Sequence, residues 1–105
     1  MPQAESVLDH LRSLHQELEK AATQQDADAK SAVRTALVNA KAAKERLQSQ
    51  LQSKDENERR KAEKTVEELN EIAKRGSTAL EANDTEFRVI LRQMVTDAKK
   101  VVSSN

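Results

Sequence analysis

The apolar residues of this chain recur at alternating spacings of four and three along almost its whole length. This spacing places side chains on one face of an α-helix, as in the seams of coiled coils. Four such stripes follow one another: Val7, Leu11, Leu14, Leu18 and Ala21; Ala29, Val33, Ala36, Ala40, Ala43 and Leu47; Ala62, Val66, Leu69, Ala73, Gly76 and Leu80; and Phe87, Leu91, Met94, Ala98 and Val101. The chain is therefore predicted to be all-α, with four amphipathic helices packed through heptad seams.

Interruptions in the apolar pattern set the predicted limits of the helices. We expect helices over residues 3–24, 27–52, 55–82 and 84–103. Because the links between these helices are short, successive helices should be antiparallel neighbours. The prediction is an up-down four-helix bundle that forms a single domain over residues 1–105.

The link between the second and third helices has two interpretations. Residues 52–61 contain no apolar side chain, and Ser53 and Glu56 have the spacing of a capping box, which predicts a turn. No Gly or Pro interrupts this stretch, so a continuous helix that protrudes into solvent is the alternative. For the preceding link, Asp26 or Asp28 is expected to cap the start of the second helix.

The last helix break also has two candidate positions. Gly76 follows two cations, as at a helix C-terminus. Asn83 and Glu86 again have capping-box spacing. We favour a helix that continues through Gly76 and breaks at residues 83–84. The alternative is a bundle of three helices whose last helix is long and kinked near residues 76–84.

The composition favours helices and excludes several kinds of site. Ala, Glu, Lys, Leu and Arg make up 55 of the 105 residues, as is typical of long helices and coiled coils. With one Gly, one aromatic residue and no Cys, the chain cannot form a Gly-rich phosphate loop or a Cys-ligated metal site. Leu, Val, Ile and Phe number only 21, so one chain has a thin core. Self-association would supply further burial of apolar area.

Residues that could perform chemistry are not grouped as a site requires. His10 and His15 are five residues apart, a spacing that does not place two metal ligands on one helix face. Carboxylates such as those of Glu67 and Glu68 belong to charged helix faces, with no sign of the desolvated pocket that a general acid needs. We therefore expect no enzymatic activity, no metal site and no cofactor.

The fourth helix has an apolar face wider than one seam. Its candidate interaction face consists of Phe87, Val89, Ile90, Leu91, Met94 and Val95. Cations at Arg88, Arg92, Lys99 and Lys100 would suit a lipid surface or an acidic partner. The alternative, which we favour, is that this segment is simply the main core helix of the bundle.

The second helix is the most basic, with a net charge of +4 over residues 29–53. Its cations are candidate contacts for nucleic-acid phosphates: Lys30, Arg34, Lys41, Lys44 and Arg46. The zero net charge of the chain and its single aromatic residue argue against this function. Residues 3–28 have a net charge of −4, so the first helix would neutralise the second if the two pack together.

The sequence as a whole favours a cytoplasmic, non-catalytic helical bundle that acts as a protein–protein interaction or assembly module. Its expected partner is another copy of itself, joined through the heptad seams, or another helical protein. Reversible binding to a lipid or granule surface is the first alternative, and weak nucleic-acid binding through the second helix is the other. No apolar stretch is long enough to span a membrane, and the absence of Cys fits a reducing compartment.

Overall fold

A computed structural model describes residues 7–104 of the chain. They form four helices: α1 (Val7–Ala22), α2 (Asp26–Leu51), α3 (Glu56–Glu81) and α4 (Asp84–Ser104). Each helix packs on its neighbours in the chain, and α1 also packs on α4, so the four helices surround one core. The predicted antiparallel four-helix bundle is confirmed. The predicted start of the first helix, near Gln3, lies outside the described residues.

The core is made from the predicted stripes and is rich in alanine. Nine of its 20 buried apolar residues are Ala, and Ala provides five of the seven buried residues of α2. Small side chains allow helix backbones to approach closely, but each buries little apolar area. The larger buried residues are Leu11, Leu14, Leu18, Val33, Leu47, Leu69, Ile72, Phe87, Leu91, Met94 and Val101.

In α3 the buried face differs slightly from the predicted stripe. Thr65, Ile72 and Ala79 are buried, whereas Val66 and Leu80 are only partly buried. The polar member of this face is satisfied locally, because the Thr65 hydroxyl donates to the carbonyl oxygen of Lys61, one turn earlier, at 3.0 Å. The face of α3 therefore turns by about one residue relative to the prediction.

Residues 52–55 form a turn between α2 and α3, as we favoured, but the predicted cap is wrong. The N-cap of α3 is Asp55, whose carboxylate accepts hydrogen bonds from the backbone N–H groups of Asn57 and Glu58 at 2.9 and 3.4 Å. The Ser53 hydroxyl instead accepts from the N–H of Asp55 at 3.1 Å. The carboxylate is the better cap because it is charged and lies at the positive end of the helix dipole.

The break between α3 and α4 lies at residues 82–83, and α3 continues through Gly76 as favoured. The predicted cap at Asn83 is present, since its side-chain oxygen accepts from the N–H of Glu86 at 2.9 Å. In addition, the Asn83 side-chain amide donates to the Glu86 carboxylate at 3.4 Å. Four separate helices are formed, and not three with a long last helix.

Gly76 of α3 lies close to side chains of both α2 and α4. A Cβ atom at this position would lie 2.5 Å from Leu37 Cδ2 and 3.0 Å from Met94 Cε. Both distances are shorter than an ordinary van der Waals contact between carbon atoms. Glycine therefore makes room here for the side chains of two neighbouring helices, at some cost in helix propensity.

We predict that Gly76→Leu lowers the free energy of unfolding by about 1–3 kcal/mol, because the new side chain must displace Leu37 and Met94. The control is Ser77→Leu at the next, exposed position of the same helix, where we expect a change of about 0.5 kcal/mol or less. Urea unfolding followed by circular dichroism measures both. Equal effects of the two substitutions would contradict a close approach at Gly76.

Candidate functional site

The candidate interaction face of α4 lies mostly inside the bundle. Phe87, Leu91 and Met94 are fully or almost fully buried. Ile90 and Val95 are partly buried against the core. In this set Val89 alone is exposed, with 52% of its surface accessible. The favoured interpretation of α4 as a core helix therefore describes the closed bundle, and this face can meet a lipid surface only if the bundle opens. Within residues 7–104 no helix is apolar enough over its length to cross a bilayer.

The five candidate cations of α2 divide into two groups. Lys30 lies 3.6 Å from the carboxylate of Asp84 on α4, and Lys44 donates to the side-chain oxygen of Asn70 on α3 at 2.8 Å. These two therefore link helices of the bundle. The remaining three, Arg34, Lys41 and Arg46, are exposed on the surface of α2. Contact with nucleic-acid phosphates would depend mainly on these three cations.

Arg88 makes the densest set of polar contacts between distant parts of the chain. Its Nη2 donates to the carbonyl oxygen of Gln24 at 2.6 Å and to Asp26 Oδ1 at 2.7 Å. Its Nε also reaches Asp26 Oδ1, at 3.1 Å, and its Nη1 reaches the carbonyl oxygen of Ala21 at 3.3 Å. We call these contacts of Arg88 with Ala21, Gln24 and Asp26 the latch.

The N-cap predicted for α2 is wrong. Neither Asp26 nor Asp28 is the N-cap; that residue is Gln25, whose side chain makes no capping hydrogen bond. Asp26 is the first residue of the helix, where its negative charge interacts favourably with the helix dipole. Its side chain is bound by Arg88. The guanidinium also places a positive charge beside the carbonyl oxygen of Ala21, in the last turn of α1, which is the negative end of that helix.

The latch continues into an aromatic contact. The Arg88 guanidinium carbon and the Lys30 ammonium nitrogen each lie 5.7 Å from the centre of the Phe87 ring. These distances fall within the range of cation–π attraction. Phe87 is the single aromatic residue of the chain and is buried, so its ring joins the apolar core to the charged groups at this end of the bundle.

These contacts join two halves of the molecule. Helices α1 and α2 form one hairpin, and α3 and α4 form the second. Arg88 with Asp26 and Lys30 with Asp84 both connect the first hairpin to the second, at the end of the bundle opposite to residues 52–55. Within the second hairpin, the Arg75 guanidinium lies 3.2 Å from Asp97 Oδ2.

A cleft of about 500 Å³ lies beside the latch. Its charged lining is already largely paired, because Asp26 is bound by Arg88 and Asp84 lies near Lys30. Arg92 is a further cation on this wall. Three of the lining residues, Asp26, Asp84 and Arg88, thus take part in the contacts that hold the two hairpins together.

The two histidines, His10 and His15, are half-buried beside the core. His15 Nδ1 lies 3.6 Å from the carboxylate of Glu19, one turn away on the exposed side of α1. Within the described part of the chain, no three side chains of the metal-binding types form a group that could hold an ion.

Comparison of the chain with protein-family models, with curated proteins and with solved structures found no match. Its function is therefore inferred from its own residues and contacts. The feature that sequence reasoning missed is the latch. The two charged partners, Asp26 and Arg88, are 62 positions apart, and no local spacing connects them.

We predict that Arg88→Met lowers the free energy of unfolding by about 1–3 kcal/mol, since it removes charge-assisted hydrogen bonds and leaves two carbonyl oxygens without this donor. Methionine preserves most of the aliphatic stem. The control is Arg92→Met, one turn later and exposed, with an expected change of about 0.5 kcal/mol or less. Chemical unfolding measures both, and a loss at Arg88 no larger than the loss at Arg92 would refute the latch.

Proposed function

We propose that this protein is a non-catalytic module for protein–protein interaction and assembly, and that its partner is a second copy of the same chain. The observation that carries the proposal is the contact between the two hairpins. It has an apolar centre and a polar edge that includes a hydrogen-bonded arginine, which is the anatomy of a protein–protein interface. Every copy of the chain carries both complementary halves of this contact.

The alanine-rich core supports the same proposal. Five of the seven buried residues of α2 are Ala, so α2 contributes little apolar area for its length. Each hairpin therefore depends on the other for burial. An interface of this kind can be completed within one chain or between two chains, and protein concentration shifts the balance.

The outer surface offers less for association. Val38 and Val89 are its exposed large apolar residues within the described range, with accessible fractions of 67% and 52%. They lie on α2 and α4, and these two helices do not form one of the four main helix–helix contacts of the bundle. Single exposed valines are common on monomeric proteins, so the contact between hairpins is the stronger candidate for self-association.

Sedimentation equilibrium over a wide concentration range tests the proposal. We expect the average mass to rise from that of one chain toward that of two as the concentration increases, because two chains can complete the same contact between hairpins. A single-chain mass at every concentration would overturn the proposal. Co-sedimentation with vesicles of anionic lipid, by a chain that stays monomeric in solution, would favour the lipid-binding alternative instead.

A further inference from the structure

We propose that the second copy binds by exchange of hairpins, with α2 and α3 joined into one continuous helix through residues 52–55. In this dimer the α1/α2 hairpin of one copy packs on the α3/α4 hairpin of the other. The inference rests on the proposed self-association and specifies how it occurs. It requires that the link can become helical, that the buried faces stay aligned, and that the polar contacts re-form.

The link can become helical because nothing in it forbids a helix. Residues 52–55 contain neither Gly nor Pro, and no backbone within residues 7–104 has a positive φ angle. Gln52, with φ −98° and ψ 5°, is already near the helical region. Asp55, with φ −74° and ψ 114°, needs mainly a change in ψ. The turn is therefore fixed chiefly by the hydrogen bonds of Asp55 and Ser53.

The buried faces of α2 and α3 are aligned for a continuous helix. Five buried residues of α2 are each followed, 36 positions later, by a buried residue of α3. A separation of 36 residues is about ten turns of an α-helix, so the two members of each pair would lie on the same side. The pairs are Ala29 and Thr65, Val33 and Leu69, Ala36 and Ile72, Ala40 and Gly76, and Ala43 and Ala79.

The polar contacts between the hairpins are preserved in the exchanged dimer. The latch and the pair of Lys30 with Asp84 both join the first hairpin to the second. After exchange each of these contacts forms between two copies, twice per dimer, with the same partner residues. What is lost from each chain is the turn at residues 52–55, including the cap at Asp55.

Two substitutions at this turn, Glu56→Pro and Asp55→Ala, test the exchange. Glu56→Pro places proline at the first position of α3, where it is compatible with the closed turn because the preceding Asp55 is extended. In a continuous helix the same proline would be interior and disruptive. We expect Glu56→Pro to weaken dimerisation by about 100-fold or more, and Glu56→Ala, its control, to leave dimerisation within about threefold of the wild-type value.

Asp55→Ala should act in the opposite direction. It removes the cap that stabilises the closed turn and adds a better helix former to the link. We expect dimerisation to strengthen by about tenfold or more. Sedimentation equilibrium measures all three variants, and circular dichroism confirms that each remains helical.

A distance measurement identifies the dimer directly. The chain has no Cys, so spin labels can be placed at Val38→Cys and Ser77→Cys, both exposed. In the closed chain these sites adjoin Leu37 and Gly76, which lie in contact. In a continuous helix they would be about 59 Å apart. Doubly labelled chains diluted into unlabelled protein report this distance within one chain.

We expect the long distance in the dimer and the short distance in the monomer. A dimer that keeps the short distance and is unaffected by Glu56→Pro would overturn the exchange while leaving self-association intact. Loss of that dimer in Val38→Ser would then assign association to the outer surface of α2. A single-chain mass for the wild type and for Asp55→Ala at every concentration would overturn both the exchange and the proposed function.

Discussion

The structure depends on the mutual burial of four apolar stripes, none of which can be shielded from water by its own helix. Because nearly half of the buried apolar residues are Ala, each helix pair gains less apolar burial than a leucine-rich pair would. Close packing of the helices compensates in part for this smaller burial. At Gly76 the packing is so close that even a methyl group would collide with Leu37. A core of this kind leaves a large share of specificity to polar contacts at the ends of the helices.

The latch supplies that specificity at one end. Arg88 binds the Asp26 carboxylate at the start of α2 and the carbonyl oxygens of Ala21, at the end of α1, and Gln24, in the link. One side chain therefore joins the ends of two helices and the link between them. Arginine suits this role because its planar guanidinium presents several donors at fixed angles. The neighbouring Phe87 anchors the backbone from which Arg88 extends. Removal of the donor would therefore disturb both hairpins.

The sequence predicts the helices of this fold well and its polar contacts poorly, for a physical reason. Apolar spacing is local, so the four stripes define the helices to within a few residues. Capping depends on which of several nearby polar residues has the right backbone conformation, and Asp55 takes the role expected of Ser53. The latch joins residues that only the tertiary fold brings together. The exposed or buried state of the α4 face likewise depends on which helices cover it.

An apolar stripe can pack equally well against a stripe of the same chain or of a second copy. Since α2 and α3 keep their buried residues in phase over 36 positions, the same contacts can be completed by a bent chain or by two straight ones. The choice then depends on the four residues of the link and on protein concentration. Asp55 stabilises the bent form by local hydrogen bonds that are independent of concentration. The short polar link would in this way determine whether the protein is a monomer or a dimer, because the same core forms in both.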